Sequence, residues 1–279
     1  MEASRQIVVD NIRRCVAEGR FNDKVEPGDP TLDGSDIQKL LNNIVKTRNS
    51  ITYWVYNQCA RAISMWYTKK IGRITEYEGL EKIKDITGAA IVTSNHFGPT
   101  ENCILRNMSW KNHKWVMDAI SQDTNFAMKG MAGFLLRYND LIPISSDRGY
   151  MVNHFEQMLS NAFEKGHYVL MYPEQEMWWN YRKVRPPKRG AYLYAAKYNV
   201  PIISCFVEII TSEDKRAGRQ ACYRLHVLNP IYPDPSKTVK ENSISMMEKD
   251  YRQKTAAYEK AYSKKLDYTF TTWDIAGLE

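Results

Sequence analysis

A histidine and a carboxylate stand five residues apart in Asn95-His96-Phe97-Gly98-Pro99-Thr100-Glu101. In straight strand they would lie about 16 Å apart, at roughly 3.3 Å per residue. The Gly-Pro turn folds that distance back. Glu101 can then bond one imidazole nitrogen and leave the other free to accept a proton. This is a base and its orienting group without a protein nucleophile. It suits a reaction in which a substrate hydroxyl attacks a carbonyl carbon while His96 removes the hydroxyl proton. The same spacing also arises by chance, as an exposed histidine beside a capping glutamate. Its meaning therefore rests on the elements around it.

The apolar run Ala89-Ala90-Ile91-Val92-Thr93-Ser94 reads as a buried strand. It puts His96 at a strand's carboxyl end, where open α/β sheets place their chemistry. Pro99 suits the first position of a helix. Glu101 then falls in the first turn, where the helix dipole favours its ionised form. A second polar cluster, Pro173-Glu174-Gln175-Glu176, follows another expected strand at 167–172. The next run is aromatic and basic, and its Arg182, Arg185, Lys188 and Arg189 suit the grip of a phosphate or an anionic lipid surface. Backbone amides near Gly98 or around Pro173-Glu174-Gln175 are candidate donors to an oxyanion.

The 279 residues carry a net charge of +7, with an isoelectric point near 9.0. That balance favours anionic partners: phosphorylated lipids, an anionic membrane, coenzyme A or an acidic carrier protein. Nucleic acid is set aside, because the charges are interspersed and no binding motif is present. The five cysteines are scattered without metal or disulfide spacing, which fits reduced thiols and no metal site. No apolar leader follows Met1-Glu2-Ala3-Ser4-Arg5, and no run of about 18 apolar residues occurs. The expected location is cytoplasmic, peripheral at the inner face of the membrane.

From Ile74 strands and helices alternate, which predicts an α/β domain over 74–279 with a mixed central sheet covered by helices. Strands are expected at 89–95, 114–121, 141–146, 167–172, 200–210 and 221–227, and helices at 124–139, 150–165, 190–199 and 240–264. Residues 1–73 form a helical region: one short helix, a turn-rich stretch from Glu26 to Gly34, then two helices broken near Asn49-Ser50 as a hairpin or cap. Its aromatic residues Tyr53, Trp54, Tyr56, Trp66 and Tyr67, flanked by Lys46, Arg48, Lys69, Lys70 and Arg73, fit a membrane interface or a cap on the main domain.

Four blocks, in order over residues 74–235, resemble the glycerolipid acyltransferase family of lysophospholipid acyltransferases. Asn95-His96 with Glu101 resembles its NH-x4-D block, here as an HX4E motif. Leu141-Ile142-Pro143-Ile144 with Asp147-Arg148 resembles the block that ends in a substrate-binding arginine. Tyr172-Pro173-Glu174 resembles FPEG, and Asn199-Val200-Pro201-Ile202-Ile203 resembles VPIIP. The resemblance implies transfer of a fatty acyl group from a thioester, acyl-CoA or acyl carrier protein, to a hydroxyl of a lysophospholipid, with no bound cofactor. His96 would be the general base and Glu101 its orienting group. Arg148, with Arg137 as the alternative, and Glu174 would position the headgroup.

Three positions depart from the pattern. Glu101 replaces aspartate, Gln175 replaces glycine, and Glu176-Met177 stands where threonine and arginine are common. The last change removes a cation. Either Arg182 or Arg185 replaces it, or the acceptor lacks a phosphate, as a glycolipid or amino-lipid does. A catalytically silent, peripheral lipid-binding protein that uses Trp178-Trp179 is the remaining alternative. Phe126, Met128 and Met131 are candidates for an acyl groove, against an ordinary place in the helix core. His113, His154, His167 and His226 read as structural or solvated.

Overall fold

Seven strands form one sheet in the order β1-β7-β6-β2-β5-β3-β4. They are β1 (Thr75–Glu78), β2 (Ala90–Thr93), β3 (Met117–Gln122), β4 (Leu141–Ile144), β5 (Tyr168–Met171), β6 (Ile202–Ile209) and β7 (Tyr223–Val227). The computed structural model describes residues 2–28, 30–210 and 222–278. Asp29, in the expected turn-rich stretch, and Ala221, where the last strand was expected to begin, lie outside the described residues. Neighbouring strands are parallel except β6 and β7, so the sheet is mixed.

Strand residues alternate between two cores, as a period of two requires. Ala90, Val92, Tyr168, Leu170, Ile203 and Cys205 share one core with Ile104, Leu105 and Met108 of α4 (Glu101–Lys111). Ile91, Val169, Met171 and Ile202 share the other with α7 (Glu156–Glu164) and α8 (Gly190–Tyr198). The long α9 (Val239–Tyr262) starts at a Thr238/Glu241 capping box and packs on α8 and β6. The carboxyl ends of β2 to β6 share one edge of the sheet, and the loops after them meet there.

Two expected helices are more broken than their periodicity suggests. The stretch 124–139 divides into a 3-10 turn at Asp123–Ala127 and α5 (Gly130–Tyr138). Gly130 takes φ 67 at the division, and Gly133 approaches the Met128 carbonyl too closely for any Cβ. The helix expected at 150–165 begins earlier, at α6 (Arg148–Tyr150), and passes through a π turn at Met151–Phe155 before α7.

Three helices precede the sheet. α1 (Glu2–Ala17) shares a core with Trp178, Tyr181 and Ile275. α2 (Gly34–Thr47), capped by Asp33, rests on the 123–127 turn. α3 (Ile51–Gly72), capped by Ser50, lies on α4 and α5. The break between α2 and α3 falls where the sequence places it, and both helices cap the α/β body.

The two faces of α3 are inverted relative to an ordinary surface helix. Its buried residues are Asn57, Ala60, Ser64 and Thr68. Its outward face carries Ile51, Val55, Met65 and Tyr67, with Trp54 at 63% and Trp66 at 59% exposure. No helix of the described residues is long and apolar enough to cross a membrane.

Asp140 ties α3 down. Its carboxylate accepts from Arg61 Nε and Nη2 at 2.8 Å each and from Asn57 Nδ2 at 2.9 Å. Burial alone would raise the Asp140 pKa, but the Arg61 guanidinium and the Asn57 amide hold it below the usual carboxylate range. Asn tolerates the left-handed backbone of residue 140 (φ 59). Asp140→Asn therefore keeps the backbone while it removes the charge and turns an NH2 group towards a donor that the carboxylate had paired. It is expected to lower the unfolding free energy at pH 7 by about 1 kcal/mol, since Arg61 is partly solvated. A depressed carboxyl stabilises the fold above its unfolded pKa and loses that contribution as pH falls. Urea unfolding of the variant and the parent should therefore converge below about pH 4.

Candidate active site

His96 is the third residue past β2, at the centre of the sheet's carboxyl edge. The chain is fixed one residue earlier. Asn95 Nδ2 donates to Val207 O at 3.0 Å and its Oδ1 accepts from Val207 N at 2.8 Å. One side chain thus pairs both backbone groups of a residue on β6 and extends the ladder past the end of β2. The motif spacing marks Asn95 without revealing this task.

Glu101, only 2% exposed, opens α4. Its Oε1 meets His96 Nδ1. Its Oε2 accepts from the amides of Phe97 at 2.6 Å and Gly98 at 2.9 Å. An ionised Glu101 makes Nδ1 the donor and leaves Nε2 as the acceptor. The imidazole also stacks on Tyr172, with ring centroids 3.9 Å apart and planes 6° from parallel. The Tyr172 hydroxyl is held protonated well above its usual range, by burial first and by the Glu101 charge second. The Tyr172 stack is a second feature that no local sequence pattern reveals.

The expected oxyanion donor at Gly98 is corrected, because that amide is committed to Glu101. The Gln175 amide is likewise committed, to Tyr172 O at 3.0 Å. The anion grip expected of Arg182 and Arg185 is also corrected, since they are 0% and 1% exposed. Arg182 lies over the Trp273 ring and donates to the Trp273 carbonyl. Arg185 lies over the buried Trp178 ring and binds Glu174 at 3.0 Å. Of the basic run, Lys188 and Arg189 are the exposed members, beside buried Lys183, which pairs with Asp274. Trp178 is fully buried and offers nothing to a lipid surface.

Glu174, expected at the headgroup, is buried and paired with Arg185. Gln175 is exposed at φ 67, a left-handed backbone that explains why glycine is the ordinary choice there. Glu176 accepts from Gln122 Nε2, at the end of β3, at 2.6 Å. Arg148 is exposed just after β4, on the same edge but three strands from β2. Arg137 is on α5 and donates to Phe126 O at 3.3 Å. Phe126 belongs to the main core, while Met131 is exposed. Of the other histidines, His167 bonds Asp118 at the opposite end of the sheet, and His226 sits between Glu78 and Glu208.

An α/β sheet here presents a histidine–carboxylate pair at the end of its central strand. Residues 74–208 match the family model Acyltransferase. The fold is similar to that of the 1-acyl-sn-glycerophosphate (LPA) acyltransferase PlsC from Thermotoga maritima. That likeness has a TM-score of 0.51 and 14% identity, over 96% of this chain and 100% of the other. No curated protein matches the chain at a significant level.

In Glu101→Gln, the carbonyl oxygen that still accepts from Phe97 and Gly98 leaves an NH2 group facing Nδ1. The imidazole proton then moves to Nε2. Nitrogen-15 spectra of the ring should report that tautomer, and acyl transfer should fall about 10²–10⁴-fold.

Proposed function

We propose that the protein transfers a fatty acyl group from an acyl thioester, acyl-CoA or acyl carrier protein, to a hydroxyl of a lysophospholipid-type acceptor. The observation that carries this reading is the His96–Glu101 pair, set on a family-matched sheet with one imidazole nitrogen free. His96 Nε2 takes the proton of the acceptor hydroxyl as its oxygen attacks the thioester carbonyl carbon. Glu101 stabilises the imidazolium that forms. The tetrahedral oxyanion then collapses, the C–S bond breaks, and the leaving thiolate takes the proton from His96. Arg148 and the exposed Lys188 and Arg189 are the cations available to a headgroup or to an anionic donor.

A second reading, an acceptor without phosphate, is favoured by one observation. Arg182 and Arg185 are enclosed by protein, and Gln122, Gln175 and Glu176 stand on the rim in place of a cation. Amino-lipids and glycolipids fit that rim by charge and hydrogen bonding.

We also propose that residues 1–73 hold the enzyme on an anionic membrane, at its cytoplasmic face. The apolar outward side of α3 would enter the interface, with Lys69, Lys70 and Arg73 among the headgroups. Such docking suits a substrate that stays in a bilayer.

Purified protein and His96→Ala, incubated with both donors and a panel of lysophospholipids, glycolipids and amino-lipids, are to be compared by mass spectrometry. A new acylated lipid is expected with the parent, and roughly 10²–10⁴-fold less with the variant. The product names the acceptor class, and equal product from both proteins excludes the mechanism. Trp54→Ser with Trp66→Ser should weaken sedimentation with anionic liposomes and leave turnover of a short-chain, soluble acceptor unchanged.

A further inference from the structure

The backbone of His96 is held from both sides by one buried ion pair. Its N–H donates to Glu174 Oε2 at 3.2 Å. Its carbonyl accepts from Arg185 Nη2 at 3.3 Å. Glu174 and Arg185 meet each other at 3.0 Å, and the Arg185 amide donates to Glu174 Oε1 at 2.9 Å. The contacts close a ring: His96 N–H to carboxylate, carboxylate to guanidinium, guanidinium to His96 C=O.

Two further contacts of Arg185 are also to the protein. It donates to the Phe21 carbonyl at 2.9 Å and to the Glu176 carbonyl. Asn22 Nδ2 donates to Glu174 O at 3.1 Å and Pro186 O at 2.8 Å. Trp178 N donates to His96 O at 3.0 Å, and its indole donates to Asp23 O at 2.9 Å. Both charged groups are spent chiefly on protein partners, and the cavity that borders them beside Asp250 and Lys254, about 10 Å³, has room for no more than a water. A buried ion pair is weak evidence for stability, and one attested use of such a pair is to fix a geometry.

We propose that Glu174 and Arg185 are positioning residues that fix the His96 backbone, and that neither binds the acceptor headgroup. The inference rests on His96 being the general base. Glu101 sets the tautomer and tilt of the ring. The Glu174–Arg185 clamp sets where the ring starts from, so that Nε2 reaches the substrate hydroxyl.

The test compares the parent with Glu174→Gln and with the double variant Glu174→Gln/Arg185→Met, which leaves no lone buried charge to unfold the protein. Three quantities are measured: acyl transfer, acceptor-free hydrolysis of the acyl thioester, and the nitrogen-15 resonances of the His96 ring. A positioning role predicts that transfer and hydrolysis fall by the same factor, about 10–100-fold. It also predicts an acceptor KM within about twofold of the parent and His96 resonances that average between environments. Loss of transfer with a raised acceptor KM, intact hydrolysis and an unchanged ring overturns the proposal and returns Glu174 to the headgroup. Should the parent catalyse neither reaction, the acyl-transfer reading fails by itself. The ring resonances then still decide the clamp: averaging supports it, and no change overturns it.

Discussion

A carboxylate shut away from water must find its partners in the protein, and Glu101 is such a carboxylate. Desolvating it costs several kcal/mol unless hydrogen bonds replace the lost water. Two backbone amides and one imidazole supply them. Those partners dictate the loop. Phe97 and Gly98 turn their N–H groups towards α4, Gly98-Pro99 makes the reversal, and the helix begins at Glu101 itself. A glutamate in place of the more common aspartate spans the gap with one more methylene.

The sheet serves that constraint. β2 lies between β5 and β6, so the loop after it can be anchored from both sides. Asn95 takes hold of β6 through Val207, and the chain after β5 supplies Tyr172, Glu174 and Arg185. The site is assembled by three neighbouring parallel strands whose ends coincide. Such strands are connected through helices, which explains why residues near the site lie about 80 positions apart in sequence.

The alternation of apolar strands and amphipathic helices was legible in the sequence, and so was the His96–Glu101 pair. Both depend on local spacing: a period of two in the strands, and a Gly-Pro reversal between base and carboxylate. The fates of Arg182, Arg185 and Trp178 were not legible. A run of arginines and tryptophans looks the same on paper whether it faces water or protein. Its partners are Phe21 and Asp23 near one end of the described chain and Trp273 and Asp274 near the other. No local pattern announces contacts across 90 to 160 residues. Gly98 differs: its acceptor Glu101 is only three residues away, but which group the amide meets depends on how the loop folds back. The inverted face of α3 was half legible: the aromatic and basic residues stood out, but which of them turn outward depends on packing against α4 and α5.

The segment between Glu174 and Pro186 is gripped by residues 21–23 on one side and by residues 273–274 on the other. In chain order, one grip precedes every strand of the sheet and the other follows the last of them. A nascent chain that has emerged through α9 holds every strand of the sheet, yet it lacks the Trp273 carbonyl for Arg182 and the Asp274 carboxylate for Lys183. The edge that carries the candidate site thus depends on residues that follow the last strand, whereas the hydrophobic sheet beneath it does not.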